Sequence, residues 1–428
     1  MKRTFCSFPV HDFLQVKEQM LDWANQFGIC CFLDDHQYRL REHSFECILA
    51  VNAENVLHTT KGEAFEQLQT FIDQNNDWCF GHLGYDLKNE IEVLQSNNAD
   101  FVKFDDLFFF IPEIVLILRG NELLVGVKSR AHAQIARAVF SIVPATARSP
   151  LQIEIKSRFT RNAYIDTVQQ LQQHILRGDC YEINFCQEFY NDAAKIDPLQ
   201  VYKALSRESP NPFSCYYRLE DKYLLCASPE RYLRKSGNRL ISQPIKGTIR
   251  RNNKRTEADQ LNRETLQQSG KDRSENIMIV DLVRNDLAKV CTEGSVKVEE
   301  LMGIYAFPQV YQMISTVSGE VENNTRVTDI LKATFPMGSM TGAPKKRVME
   351  LIEQYERTKR GLFSGAVGYI SPQQDMDFNV VIRSILYNAS GRYISFPTGS
   401  AITYYSKAED EYEECLLKAG AIKKVLNG

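Results

Sequence analysis

Between Tyr181 and Tyr190 the chain alternates, with Tyr181, Ile183, Phe185 and Phe189 on one side and Glu182, Asn184, Cys186 and Glu188 on the other. A period of two belongs to an extended strand, which puts the two sets on opposite faces. This segment must therefore pair in a sheet. Further strand-like segments lie at 108–118, 122–127, 223–227, 240–249, 362–370, 378–386 and 393–404. Helical spacing follows Thr160, a candidate cap, through Tyr164, Val168, Leu171 and Ile175 to a stop at Gly178. Helices are also expected at 272–287, 345–355 and 407–426, and a polar loop running into an exposed helix at 250–268. The mixture predicts an α+β fold, with sheets carrying helices on their outer faces. SIVPATARSP (141–150), with two prolines, reads as a connection between an N-terminal region (1–145) and a larger one (155–428), the two interlocked.

The distribution of histidine limits the chemistry. All seven histidines (His11, His36, His43, His58, His82, His132 and His174) precede residue 175. A site beyond that point has no Ser-His-Asp triad and no imidazole metal ligand, so acid–base work falls to carboxylates and lysines. Eleven cysteines without a C-x-x-C pair read as reduced thiols of a cytoplasmic protein, not a disulfide framework or zinc site. A metal in the histidine-free region is then a hard, oxygen-bound cation such as Mg²⁺. With 25% charged residues and a net charge of -3, nothing favours nucleic acid or an anionic membrane. The most apolar stretch, 107–118, is broken by Pro112 and Glu113. It is also shorter than the roughly 20 residues of a membrane-spanning helix. The opening MKRTFCSFPVHDF lacks the sustained apolar run of a secretory signal.

Five segments carry polar groups in patterns that suit catalysis. In PIKGTIRR (244–251), Lys246 stands in an apolar, strand-like context before Gly247, which admits a tight turn. Such a lysine is a candidate nucleophile. At an ordinary pKa near 10.4, only about one part in 2,500 is neutral at pH 7, and bringing the pKa to about 7 takes roughly 4.6 kcal/mol of environmental bias. A buried position beside a cation is expected to supply it. In SPERYL (228–233), Pro229 fixes the backbone before Glu230, a candidate general acid. KDRSENIMIVDLVRNDL (271–287) has an apolar stripe of Ile277, Val280, Val283 and Leu287, with Asp272, Glu275 and Asn276 on another face. Glu275 there is a candidate metal carboxylate. EDEYEECLLKAGAI (409–422) sets Glu411, Glu414 and Lys418 on one helical face. Glu414 is a second candidate metal carboxylate, and Lys418 a partner for substrate anions. MGSMTGAPKK (337–346) is a glycine-rich turn entering a helix near Pro344, where backbone N–H groups suit an anion. The P-loop spacing is missing. Singly, each segment reads as an ordinary surface or turn feature. Their joint occurrence in the histidine-free region is what calls for a chemical explanation.

Together with GHLGYDLKN (81–89), these segments resemble the chorismate-utilising family, which includes anthranilate synthase component I, aminodeoxychorismate synthase component I, and the isochorismate and salicylate synthases. The resemblance is dense over about residues 157–424 and thinner before them. It implies that family's fold, two large β-sheets packed as a sandwich with helices on the outer faces. It implies that Glu275 and Glu414 hold the Mg²⁺ that binds the ring carboxylate of chorismate. Glu230 falls where the family's general acid protonates the leaving C4 hydroxyl, and Arg383, Gly399, Ser339 and Lys418 fall where the family contacts the substrate carboxylates.

Two positions separate the branches of the family. Isochorismate and salicylate synthases carry a lysine base where this chain has Glu182, so water addition is disfavoured. Anthranilate synthases read P-I-A-G-T where this chain reads P-I-K-G-T, and the lysine resembles the branch that aminates C4. There it attacks C2 as the C4 hydroxyl leaves, and ammonia then adds at C4 and expels it. The resemblance thus implies formation of 4-amino-4-deoxychorismate, a precursor of para-aminobenzoate and folate. The alternative is an anthranilate synthase, which adds ammonia at C2 and releases pyruvate. Gln312 and Phe363 depart from the family's usual histidine and tyrosine. The family's L-L-E-S tryptophan-sensing motif is absent, with HSFECILAV in a comparable region.

Ammonia needs a source. A glutaminase elbow reads G-x-C-x-G, and the nearest segment, Gly178 to Glu182, lacks the final glycine and has no suitable histidine after it. A separate glutamine amidotransferase subunit is expected. The purified chain should leave glutamine intact and accept free ammonia at high concentration and pH. Glutamine hydrolysis by the chain alone, followed as glutamate release, overturns that expectation.

Overall fold

The alternating segment forms a strand, Glu182–Asn191, in the computed structural model. The structure describes residues 2–38, 42, 44–59, 62–144, 152–252, 255–307 and 310–427. On one side the strand pairs with Tyr393–Ile402, placing Gly399 opposite Cys186 and Ile402 opposite Ile183. On the other it pairs with the short strand Gly342–Ala343. Its aromatic face packs on the helix Arg161–Leu176, where the rings of Phe185 and Tyr164 lie 5.2 Å apart. Thr160 caps that helix by accepting a hydrogen bond from the Ala163 N–H, as its position before the apolar repeat predicts. The polar face of the strand is also buried, so its groups need partners inside the protein.

Glu182 pairs with Lys246, Asn184 with the Ser339 carbonyl and Glu188 with Arg158, while a buried ion pair holds the strand's backbone. Arg360 binds Glu356 at 2.6 Å and donates to the carbonyls of Met340 (2.6 Å) and Asn184 (2.8 Å). Glu356 in turn accepts from the Cys186 N–H at 2.9 Å. The Tyr85 ring, from the GYDLKN segment, lies 4.6 Å from the guanidinium. The strand and the glycine-rich turn Gly338–Met340 are thereby held side by side.

The α+β class is the expected one. Among the described residues the strands form one 20-stranded antiparallel network, so the two expected layers belong to a continuous ladder. The N-terminal part contributes directly: Ile29–Asp34 pairs with Phe213–Leu219, and Cys79–Leu83 with Ala366–Ile370. Two large apolar clusters form around the network, one including Phe109 and Phe378, the other Tyr164 and Phe185. No helix among the described residues is long and apolar enough to cross a membrane. The connection predicted at 141–150 lies outside the described residues from 145 onward.

Four predicted elements differ, and the first, the strand expected at 362–370, begins only at Ala366. The strand expected at 240–249 divides into Arg239–Gln243 and Ile245–Arg250, because Pro244 has no N–H to continue a ladder. The one expected at 378–386 divides into Met376–Asn379 and Ser384–Asn388, with Arg383 between them at φ +52°. On the helix Gly270–Ala288, Ile277 is 48% exposed and Ile279 enters the core instead. The helix is turned so that Glu275 and Asn276 are buried, and Asn276 Oδ1 accepts from Ser315 Oγ at 2.6 Å.

Gly342 sets how closely the glycine-rich segment can approach. Its φ is +142°, and a Cβ there would lie 2.0 Å from the Glu182 carbonyl oxygen. Gly342→Ala is expected to cost about 2 kcal/mol or more. Urea unfolding checks this, and an unchanged midpoint would contradict it.

Candidate active site

A cavity of about 870 Å³ opens beside this strand, and Glu230, Lys246, Glu275, Ser339, Arg383, Gly399, Glu414 and Lys418 all line it. That size suits a small organic ligand. Asn184, Gln312 and Phe363 line it as well.

Lys246 reaches the cavity because its strand is irregular. The register against Val310–Glu320 shifts between Ile245 and Thr248, and Gly247 takes φ +90°. Such a bulge re-aims a side chain. Gly247 is also needed for close packing, since a Cβ there would lie 2.9 Å from Asp272 Cβ. Lys246 is 8% exposed and donates to Glu182 Oε1 at 2.7 Å.

The expected depression of its pKa by a neighbouring cation is not what the structure shows. Burial does disfavour the ammonium, but Glu182, then Glu275 and Glu230, outweigh it and raise the pKa above its ordinary value. The amine rests protonated because it is surrounded by carboxylates.

Glu230 sits in the tight segment after Ser228 and Pro229. Its N–H donates to Ser228 Oγ, and its carbonyl accepts from the Val380 N–H. Burial raises its carboxyl pKa to about 7, against smaller lowering effects of Ser339, Lys246 and the Ile245 backbone. Ser339 Oγ stands near that carboxyl without a hydrogen bond of good geometry. A carboxylic acid still holding its proton near neutrality can serve as a general acid.

Glu275 and Glu414 approach from two helices, Gly270–Ala288 and Ala408–Asn427. Burial raises Glu275 to about 7, while Lys246 opposes and Glu182 adds to the shift. For Glu414, burial is outweighed by Lys418, Lys271 and Lys246, which bring it down to about 2. Lys418 binds Glu414 at 2.8 Å and donates to the Gly399 carbonyl at 2.8 Å. Lys271 lies 2.8 Å from Glu411, 3.6 Å from Glu414 and 3.9 Å from Glu275. Arg383, at φ +52°, has its pKa lowered by burial, with Glu414 opposing.

The donor set fits a hard divalent cation. Glu275 Oε1 is buried without a hydrogen-bond partner among the described residues, and Glu414 faces the same space. Among those residues no group of three or more His, Cys, Asp or Glu side chains forms a metal-ligating cluster. Two carboxylates completed by water and a ligand anion is an ordinary Mg²⁺ arrangement.

The sequence pattern of chorismate binding enzymes matches residues 28–424. The chain belongs to the chorismate binding enzyme family. It is 35% identical over 346 residues to aminodeoxychorismate synthase component 1 of Salmonella typhimurium, covering 80% of this chain and 75% of that one. It is 32% identical over 366 residues to anthranilate synthase component 1 of Aquifex aeolicus, covering 81% and 73%. The crystal structure of anthranilate synthase component I from Streptococcus pneumoniae superposes with a TM-score of 0.78 at 24% identity, over 90% of this chain and 94% of that one. Family membership and fold follow from these likenesses. Identity alone does not separate the two kinds of relative, so the site chemistry has to.

All eight residues singled out by sequence meet in one cavity. Sequence reading missed that Glu182 pairs with Lys246 and that Lys271 lies among Glu411, Glu414 and Glu275. The alternation put Glu182 on the face opposite the aromatic residues but could not name its partner on a strand 64 positions away.

The raised Glu230 pKa gives a stability test. Its folded value, about 7, lies above the ordinary 4.5. The stability it contributes is therefore present in full below pH 4.5 and lost as pH rises through about 7. Without added divalent ion, Glu230→Gln should gain stability relative to the wild type across that window, by up to about 3 kcal/mol. Urea midpoints at a series of pH values check this, and a constant difference contradicts it.

Proposed function

We propose that this chain aminates chorismate at C4, forming 4-amino-4-deoxychorismate with ammonia delivered by a separate glutamine amidotransferase in the cytoplasm. The observation that carries the reading is Lys246: a buried primary amine in the same cavity as a protonated-range carboxyl, Glu230, and the carboxylates Glu275 and Glu414. Amination at C2 has no use for a nucleophilic lysine there.

In this reading Lys418 and Arg383 attract the substrate carboxylates, and Glu275 and Glu414 hold Mg²⁺. When bound, the ion supplies a Lewis-acid anchor for the ring carboxylate. Glu230 gives its proton to the C4 hydroxyl as Lys246 Nζ bonds to C2, both ring double bonds shift, and the C4–O bond breaks to release water. Ammonia then bonds to C4, both double bonds shift back, and the C2–N bond breaks. One hard substitution becomes two allylic ones. Folate biosynthesis is the proposed destination of the product.

One assay tests this: chorismate, Mg²⁺ and ammonium chloride, read by mass spectrometry. A 4-amino product that keeps its enolpyruvyl group is expected, and anthranilate with pyruvate overturns the reading. Under ammonia starvation the intact protein should carry a chorismate-derived adduct that is absent from Lys246→Ala. Glu230→Ala should slow turnover by about 10²–10⁴-fold. Glu275→Ala and Glu414→Ala should abolish both activity and its magnesium dependence.

A further inference from the structure

A lysine that rests protonated has no lone pair with which to attack carbon. The C4 reading therefore needs a group that takes a proton from Lys246 at the moment of bond formation. Water is a poor choice, because the amine is almost wholly shielded from solvent. Of the carboxylates around it, Glu230 is engaged in protonating the hydroxyl, and Glu275 and Glu414 are engaged with the metal. Glu182 has neither duty.

We infer that Glu182 is the proton acceptor for Lys246, taking a proton from the ammonium as the lysine bonds to the ring and returning it when the lysine leaves. The inference rests on the proposed C4 chemistry and adds a residue to it. Glu182 Oε1 accepts from Lys246 Nζ at 2.7 Å, so the proton travels along an existing hydrogen bond. Glu182 is 1% exposed, and its Oε2 has no hydrogen-bond partner among the described residues. The carboxylate is thus held for one partner. Its backbone is pinned on both sides: Tyr181 N–H donates to the Ala343 carbonyl, and Ile402 pairs opposite Ile183. A structural counter-ion on a mobile side chain needs no such anchoring. The charged groups facing Lys246 are Glu182 from its strand, Glu275 from its helix, Glu230 from its turn and Glu414 from the helix Ala408–Asn427.

The step balances. Before it, Lys246 is –NH₃⁺, Glu182 is –COO⁻ and Glu230 is –COOH. The proton passes to Glu182, the amine lone pair forms the C2–N bond, and the C4–O bond breaks with the Glu230 proton to give water. Afterwards the adduct nitrogen is a secondary ammonium, Glu182 is –COOH and Glu230 is –COO⁻. Ammonia displaces the lysine as a neutral amine, which recovers its proton from Glu182. The new C4 ammonium gives a proton to Glu230, and both carboxyls are reset.

Two measurements on the full chain test this. Adduct formation from chorismate and Mg²⁺ without ammonia is followed by quenched-flow mass spectrometry. In the wild type the rate is level on the acid side of neutrality and falls above it as Glu230 ionises. In Glu182→Gln the proton must go to solvent, so the rate at pH 6 falls by about 10²-fold or more and climbs about tenfold per pH unit. Glu182→Asp keeps the level acid limb. A Glu182→Gln adduct rate within about twofold of the wild type with no new limb overturns the inference, since a group that takes the proton contributes about 10²-fold or more. The second measurement uses the wild type alone, so it holds even if the variant does not fold. In weak buffer with a pH-indicator dye, adduct formation should release no proton to solvent, and release of a proton with each adduct overturns the inference. If the wild type converts chorismate with no adduct at all, the failure belongs to the C4 reading and is distinguishable on that ground.

Discussion

The Arg360–Glu356 ion pair is the constraint around which the rest of the site is arranged. It is buried, yet both partners are well used: the guanidinium binds its carboxylate and two backbone carbonyls, and the carboxylate also takes a backbone N–H. Burying two charges is costly, and only such complete hydrogen bonding offsets it; removing one partner of such a pair costs about 3–5 kcal/mol. The pair does not touch the reacting groups. It joins the strand that carries Glu182 to the turn that carries Ser339, and both segments line the cavity, through Asn184 and Ser339. The GYDLKN segment of the N-terminal part enters here, through the Tyr85 ring beneath the guanidinium.

Within that frame, roles are divided by environment. Glu230, Glu275 and Glu414 have the same side-chain chemistry, yet the first two are raised to about 7 and the third is brought down to about 2. Burial with few compensating charges keeps a proton on Glu230, and Lys418 and Lys271 strip it from Glu414. Pushing like groups apart in this way is how a site without histidine obtains both an acid and a permanent anion. Lys246 shows the same principle in the opposite sense, because the surrounding carboxylates store its proton instead of removing it. Its nucleophilicity becomes a matter of where that proton goes when substrate arrives.

Local features of the chain were legible in advance where they rest on local physics. The Thr160 cap, the strand at Glu182–Asn191 and the helix Lys345–Tyr355 follow from hydrogen bonding and side-chain period within a few residues. Boundaries failed where backbone geometry interrupts a good pattern, as at Pro244 and at Arg383 with its positive φ. The stripe on the helix Gly270–Ala288 was misjudged at Ile277, since periodicity defines an amphipathic face only to within a residue's rotation. Neighbours such as Ser315 then decide which residue turns inward.

The sequence by itself determined the kind of chemistry available: a region without histidine, supplied with glutamates, lysines and a glycine-rich turn, and a set of motifs in the order the family uses. Tertiary structure alone decided the charge on the central amine. Lys246 looks in sequence like a residue to be neutralised by burial, but Glu182 and Glu275 come to it from distant segments. Desolvation depends on how deep one side chain lies. The sign of the net field depends on which charges the fold brings beside it, and that is a property of the assembled chain.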